Sequence, residues 1–404
     1  MIPFSPPRID QKIIDEVTLA LKSGWITTGP RTKLFEKKIT EYCGNKATVA
    51  LNSATAGLEL ILRWYGVKEG DEVILPAYTY CATANVVIHC GATPVFVDVN
   101  PNDFNISVKE IEKAITSKTK VIMPVDFAGL PCDYKGINDL VKREDIVSKF
   151  VAATIEQSTL GRILVLSDAA HSFGAYYEGK VAGNLTDVSV FSFHAVKNLT
   201  TAEGGAIALN FPEPFDNEEL YKKFCITSLH GQNKDALAKT QKGNWKYDVV
   251  EAGYKCNMTD ISAAIGLIEL ERYKDDTLVK RKYIFDAFNA ELSKYDWAEL
   301  PEYETNQKIS SYHLFPLRIK NASEEQRDEI IKRIFDEDVS VNVHFIPVPM
   351  LSFYVNKGYD IKNYPVALDN FKREISLPVF YDLTDEQISK VIDSVVKSVN
   401  SVIL

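Results

Sequence analysis

Ser192-Phe193-His194-Ala195-Val196-Lys197-Asn198-Leu199-Thr200-Thr201-Ala202-Glu203-Gly204-Gly205 sets a lysine between two apolar runs, Val188-Ser189-Val190-Phe191 before it and Ala206-Ile207-Ala208-Leu209 after it. Short apolar runs bounded by turn residues read as strands, so Lys197 falls on the turn that joins them. Upstream, Leu164-Val165-Leu166-Ser167-Asp168-Ala169-Ala170-His171-Ser172 is a strand that ends on a carboxylate. Ligands of open α/β sheets collect at the carboxyl ends of the strands. An amine and a carboxylate are thereby placed on neighbouring loops of one crevice.

Further from this centre, composition bounds the answer. The 404 residues, 46% hydrophobic and 25% charged, suit an ordinary folded chain of two or three domains. A formal net charge of -9 without a long basic run argues against a nucleic-acid footprint and for small-molecule chemistry. Cys43, Cys81, Cys90, Cys132, Cys225 and Cys256 form no CxxC pair, so neither a zinc ribbon nor a disulfide framework nor any other metal site is expected. The opening Met1-Ile2-Pro3-Phe4-Ser5-Pro6-Pro7 carries no secretory pattern, and no apolar run approaches the length of a membrane span. A reduced, cytoplasmic setting and no membrane partner are the expectation.

Taken in order, the chain reads as a proline-rich arm, a helix over 9–23, a loop at Trp25-Ile26-Thr27-Thr28-Gly29-Pro30 and a helix over 32–43. From Ala47 a unit repeats: strands over 48–51, 72–75, 93–97 and 121–125, each followed by a turn and, in most cases, a helical pattern. That alternation predicts an α/β fold, a mostly parallel doubly wound sheet. Residues 134–161 read as one helix plus a surface excursion, 217–229 as a helix, and 233–248 as a polar loop of the kind that serves as a lid. Helices over 258–270 and 280–292 precede strands over 311–318 and 340–344, a helix over 324–335 and a last helix over 385–396. These make a smaller C-terminal α+β domain. The expected division is an arm at 1–15, a large domain at 16–250 and a small domain at 251–404.

Two strand-to-helix turns carry chemistry. Ser53 and Thr55 would present hydroxyls, and the turn its backbone N–H groups, to a phosphate at a helix N-terminus; by residue type alone they are helix caps. Tyr80 would offer a ring to a planar cofactor; alone it is packing. Pyridoxal phosphate requires both an amine for its aldehyde and a carboxylate that keeps its ring nitrogen protonated, which are the roles open to Lys197 and Asp168. Singly, these two are a solvated lysine and a cap, and it is the number of matching parts that favours the cofactor.

The ordered motifs at 25–30, 52–56, 76–80, 168–171, 191–205 and 253–260 resemble the DegT-type nucleotide-sugar aminotransferases, a branch of the fold-type I pyridoxal-phosphate enzymes, over nearly the whole chain. The resemblance implies that Lys197 forms the Schiff base with the cofactor and moves the proton, that Asp168 partners the pyridine nitrogen and that His171 sits near the 3′ oxygen. It also implies that Tyr80 stacks on the ring and that Ala54, Thr55 and Ser192 hold the phosphate. Family members are homodimers in which the 253–260 loop reaches the partner's cofactor, which makes Lys255 and Asn257 cofactor contacts. Thr28, His194, His230, His313 and His344, with Tyr312, are candidates for the substrate side.

The sequence departs from the commoner pattern at Lys255, where asparagine is usual, at Ser167, often acidic, and at Asp126, where many relatives place a pocket histidine. The implied reaction takes an amino group from glutamate, leaving 2-oxoglutarate, to a keto sugar nucleotide, with a lean to the sugar's fourth carbon. A cyclitol or other keto substrate, and a non-catalytic sensory relative of the same fold, are the alternatives. Lys197 itself argues against the relatives that carry histidine there and dehydrate sugars.

Overall fold

Along strand β1 (Ala47–Leu51), Val49 and Leu51 pack into one apolar cluster while Ala50 joins another on the opposite face. The same period-two division holds along β8 (Val188–Ser192), where Val188 and Val190 part from Phe191. It holds again along β9 (Gly205–Leu209), where Ile207 and Leu209 part from Ala206 and Ala208. A sheet buried on both faces needs apolar residues at successive positions, which is why these strands read as unbroken apolar runs. The computed structural model describes residues 1–234 and 246–403.

With β2 (Glu72–Pro76), β3 (Thr93–Val97), β4 (Thr119–Ile122) and β5 (Leu164–Asp168), these strands form a seven-stranded sheet in the order β1-β9-β8-β5-β4-β2-β3. Only β9 runs antiparallel to its neighbours, so the sheet is mixed but mostly parallel. Its helices include α1 (Gln11–Lys22), α2 (Pro30–Cys43), α3 (Ala54–Trp64) and α4 (Cys81–His89). A second sheet joins β10 (Ala298–Glu299), β12 (Phe315–Ile319) and β13 (Glu374–Leu377). A small third one pairs β6 (Tyr176–Tyr177) with both β7 (Lys180–Val181) and β11 (Lys308–Ile309), tying the later part of the chain to the earlier. Helix Asp260–Arg272 packs on α1 and α2.

Several expected elements are corrected. The strand over 121–125 stops at Ile122, short of Pro124, which has no N–H for the ladder. Residues 134–161 hold three short helices, Tyr134–Leu140, Glu144–Val147 and Ile155–Leu160, the first and third capped by the side chains of Asp133 and Thr154. The strand over 311–318 begins only at Phe315, because the N–H groups of Ser311 and His313 donate to the carbonyls of Gly129 and Ala128 instead. Residues 340–344 are not a strand; they meet β13 through a single bridge, Asn342 to Ser376. The last helix runs on to Ile403. Of the polar loop expected over 233–248, residues 235–245 lie outside the described residues.

Candidate active site

β1, β2, β5 and β8 point the same way, so their carboxyl ends share one edge of the sheet. β5 delivers Asp168, β8 delivers Ser192, β1 leads into α3 and β2 leads through Tyr80 into α4. Gly205, at the start of β9, lets α3 approach: a Cβ there would lie 2.4 Å from the Ala54 nitrogen and 2.8 Å from the Phe191 oxygen. Only glycine fits that close backbone contact.

A cleft of about 380 Å³ opens along this edge. Ala54, Thr55, Tyr80, Asp168, His171, Ser192 and Lys197 line it, as do His194, His313 and His344. The sequence motifs separated by more than a hundred residues thus converge on one hollow. Ser53 spends its hydroxyl on the Ala56 N–H as the cap of α3 (3.1 Å), so Thr55 keeps its hydroxyl and the first-turn N–H groups of Ala54 and Thr55 have no intrahelical partner. Those groups at a helix N-terminus suit a phosphate.

Asp168 is 5% exposed. Its Oδ2 accepts from the Thr83 hydroxyl at 2.8 Å and its Oδ1 from the Ala170 N–H at 3.2 Å. Burial raises its carboxyl above the ordinary value, against the opposing pull of Thr83, Ala170 and Lys197. Burial also brings the Lys197 amine down to about 8, with Asp168 acting in the other direction. A minor fraction of the amine is therefore neutral near physiological pH, far more than of an ordinary lysine, and that neutral form is the nucleophile. In the cofactor-free chain, capture of pyridoxal phosphate at Lys197 is expected to accelerate as pH rises through about 8, followed by stopped-flow absorbance. A surface lysine would need the ordinary 10.5.

The buried histidines of the cleft, His171, His313 and His344, are neutral. Burial pushes His171 and His313 well below the ordinary imidazole value, with Lys197 adding to the effect. Their rings lie 4.4 Å apart, and the buried Nδ1 of His171 has no hydrogen-bond partner among the described residues. His313 Nδ1 meets the Asn198 Oδ1 at 2.8 Å, while the Asn198 amide donates to the Ser311 carbonyl at 2.6 Å. The neighbour of Lys197 thereby anchors His313. His194 stands exposed at the mouth, 3.6 Å from Glu203.

Five expected residues do not line this cleft, among them Tyr312, whose hydroxyl donates to Glu304 at 2.5 Å. Thr28 donates to the Met258 carbonyl and receives the Asn257 amide, both at 2.5 Å, and Lys255 donates to Asn257. These three form a separate cluster whose loop is tied to the sheet edge by the Asn52 N–H on the Cys256 carbonyl at 2.7 Å. His230 bonds through its backbone to the Tyr254 carbonyl at 2.7 Å.

Asp126, expected in the substrate pocket, lies behind it. Its carboxylate accepts from the Tyr134 and Ser172 hydroxyls, each at 2.6 Å, and from the Cys132 N–H at 2.9 Å. Tyr134 also meets the Ser167 hydroxyl at 2.6 Å. Asp126 thus braces the loop that carries Asp168 and His171. D126A is expected to cost about 3 kcal/mol of stability or more in urea unfolding, because it leaves buried donors unpaired.

Sequence reasoning missed Thr83, Phe345 and the arm residues Phe4 and Ser5, which also line the cleft. Thr83 carried a signal: it follows Tyr80 by three residues, the spacing that puts two side chains on one helix face. Phe4, whose ring stacks 5.3 Å from that of His344, carried none.

Residues 7–396 match the DegT/DnrJ/EryC1/StrS aminotransferase family. The chain belongs to that family. Spr1654 of Streptococcus pneumoniae, described as a sugar aminotransferase, is 45% identical in its PMP form, with a TM-score of 0.96 and all of both chains covered. Its PLP form superposes with a TM-score of 0.94. Spore coat polysaccharide biosynthesis protein SpsC of Bacillus subtilis is 36% identical over 98% of this chain and 96% of its own. Helicobacter pylori PseC, an aminotransferase of pseudoaminic acid biosynthesis, is 27% identical with a TM-score of 0.86 and 99% of each chain covered.

This DegT/DnrJ/EryC1/StrS aminotransferase is a pyridoxal-phosphate enzyme. Its cleft fits the group: a partly neutral amine, a buried carboxylate beside it, uncapped N–H groups for a phosphate and a Tyr80 side chain left 59% exposed at the cleft wall. Among the described residues no helix is long and apolar enough to cross a membrane.

Proposed function

We propose that the chain transfers the amino group of glutamate to a keto sugar carried on a nucleotide, at the sugar's fourth carbon, and that it works as a cytoplasmic homodimer. The observation that supports this most is the pairing of Lys197 and Asp168 in one cleft whose wall also presents the hydroxyls of Ser53, Thr55, Thr79 and Ser192 and the imidazoles of His171, His313 and His344. Such a wall suits a polyhydroxylated substrate. The roles of SpsC, in a coat polysaccharide, and of Spr1654, as a sugar aminotransferase, favour a sugar acceptor.

In this reading Asp168 holds the cofactor's ring nitrogen, and the ring supplies an electron sink for the carbon that gains or loses the amine. Lys197 Nζ, neutral in part when free, moves the proton at that carbon. Ala54, Thr55 and Ser192 would hold the phosphate, and Tyr80 and His171 would hold the ring. Phe4, Phe345 and Leu58 keep water from the reacting atoms.

Among the described residues that line the cleft, Lys197 is the only lysine or arginine. The carboxylates of glutamate need a further cation. The homodimer supplies one if Lys255 of the partner subunit, held by Asn257 and Thr28, reaches this cleft. Exposed Ile14 and Leu21, seven residues apart on one face of α1, offer apolar surface for that pairing.

Adding glutamate to the holoenzyme is expected to shift the cofactor's absorbance with release of 2-oxoglutarate, and a panel of keto sugar nucleotides is expected to restore it, 4-keto sugars fastest. No shift with glutamate would favour the sensory alternative. Restoration by cyclitol ketones alone would overturn the sugar.

A further inference from the structure

Glu374 and Ser376 stand two residues apart on β13, so their side chains share one face of the strand. Both are fully buried. Ser376 Oγ lies within hydrogen-bond reach of Glu374 Oε1 on one side and of His344 Nδ1, at 2.9 Å, on the other. The backbone N–H of His344 donates to Glu374 Oε2 at 3.0 Å. The Phe4 ring stacks on the imidazole, and His344 lines the cleft. With Nδ1 committed to Ser376, the edge left for the cleft is Nε2.

A serine hydroxyl has one proton to give, which makes this chain directional. When Glu374 is ionised, both its oxygens accept, so Ser376 donates to Oε1. Its oxygen then accepts from His344 Nδ1–H, and His344 Nε2 is a bare acceptor. When Glu374 is protonated, Oε2 is still held by the His344 N–H, so the proton sits on Oε1 and points at Ser376. Ser376 must then donate to Nδ1, which requires the tautomer with the proton on Nε2. One proton enters at Nε2 from the cleft, the Nδ1 proton passes to the Ser376 oxygen and the Ser376 proton passes to Glu374 Oε1, so the hydroxyl ends facing Nδ1 and the imidazole ends neutral.

We infer that the Glu374–Ser376–His344 chain determines whether His344 offers the substrate a hydrogen-bond acceptor or a donor, and that Glu374 is a positioning residue for substrate recognition. As an acceptor, Nε2 suits a hydroxyl or an ammonium group; as a donor, it suits a carbonyl or carboxylate oxygen. An aminotransferase must admit both kinds of reactant in turn. What the relay recognises rests on the function proposed above; its existence does not.

The surroundings place the switch within reach. Burial pushes the Glu374 carboxyl up to about 8, against the opposing pull of Ser376, the His344 N–H, Arg327 and Arg318, and Tyr78 faces it as well. Arg318 is itself paired with Glu299, and Arg327 with Asp328. Burial brings His344 down to about 3, and Lys197 lowers it further, so the imidazole does not charge in the same range. His171 and His313, which also face it, are neutral.

The chain has six histidines, so the holoenzyme labelled with ¹⁵N-histidine gives few resonances, and H344Q assigns the relevant pair. As pH rises through about 8, His344 Nε2 is expected to pass from the protonated to the unprotonated range while Nδ1 does the reverse. In E374Q the oxygen must face the His344 N–H and the amide NH₂ must face Ser376, so Nε2 stays protonated at every pH. In S376A the crossover disappears. For E374Q the KM for keto substrate loses its dependence on pH across this range, while the cofactor's absorbance is unchanged. A single wild-type tautomer across the range, or an imidazolium at His344, overturns the inference even if no variant folds. Failure of the glutamate-driven absorbance change, with the crossover intact, would instead count against the proposed function.

Discussion

K197A lowers the aminotransfer rate by about 10⁴-fold or more, since on the proposed function it removes both the amine that would receive the cofactor's aldehyde and the group that would move the proton. The chain still folds, because Lys197 Nζ makes no hydrogen bond among the described residues and sits at the cleft wall, outside the apolar clusters. K197R keeps a cation at the site yet behaves like K197A, as a guanidinium stays charged at working pH. Glutamate-dependent turnover of purified, cofactor-loaded variants, with thermal unfolding alongside, separates the two effects. A small external amine is expected to restore part of the proton transfer in K197A and none of the covalent attachment. Retained activity in K197A, even at a hundredth of the wild-type rate, would remove Lys197 from the chemistry.

The second large effect falls on Asp168. D168N preserves the shape but removes the charge opposite the cofactor's ring nitrogen, and a loss of about 10²–10³-fold in kcat is expected for one such preorganised electrostatic partner. D168A goes further, leaving the Thr83 hydroxyl and the Ala170 N–H without their acceptor. A buried donor left unpaired costs about 1–3 kcal/mol. Stability against pH gives an independent reading. Burial raises the folded carboxyl above 3.8, so between 3.8 and its folded value the unfolded chain has already released a proton that the folded chain keeps. The cofactor-free protein therefore loses stability as pH rises through that window, and D168N abolishes that part of the slope. On the proposed function, bound cofactor would offset the same penalty, because Asp168 would face a positive ring nitrogen.

Much of this was legible because strand ends are legible. An apolar run closed by a polar residue marks both the strand and the residue it delivers, which is how the sequence exposes Asp168 and the 53–55 turn, whereas Ser192 follows from the family resemblance. The sheet's mixed character was not: β9 pairs antiparallel on both sides, and nothing in Ala206-Ile207-Ala208-Leu209 distinguishes the two directions. Partners brought in from distant segments were equally hidden. Phe4 and Ser5 reach the cleft from the N-terminal arm, and Ser376 reaches His344 from a strand over thirty residues later. Asp126 shows a different limit. Its residue type suggested a pocket group, whereas its three acceptor bonds turn it into the interior. Residues 340–344 looked like a strand because of their alternation, yet the pairing that would make them one is limited to Asn342.

The most direct test is chemical. Cofactor-loaded protein is reduced with borohydride, digested and mapped by mass spectrometry for the lysine that carries the pyridoxyl group. The account requires that label on Lys197 and requires D168N to retain it at lower occupancy. A label on another lysine, or none under conditions where the cofactor's absorbance shows binding, would contradict it.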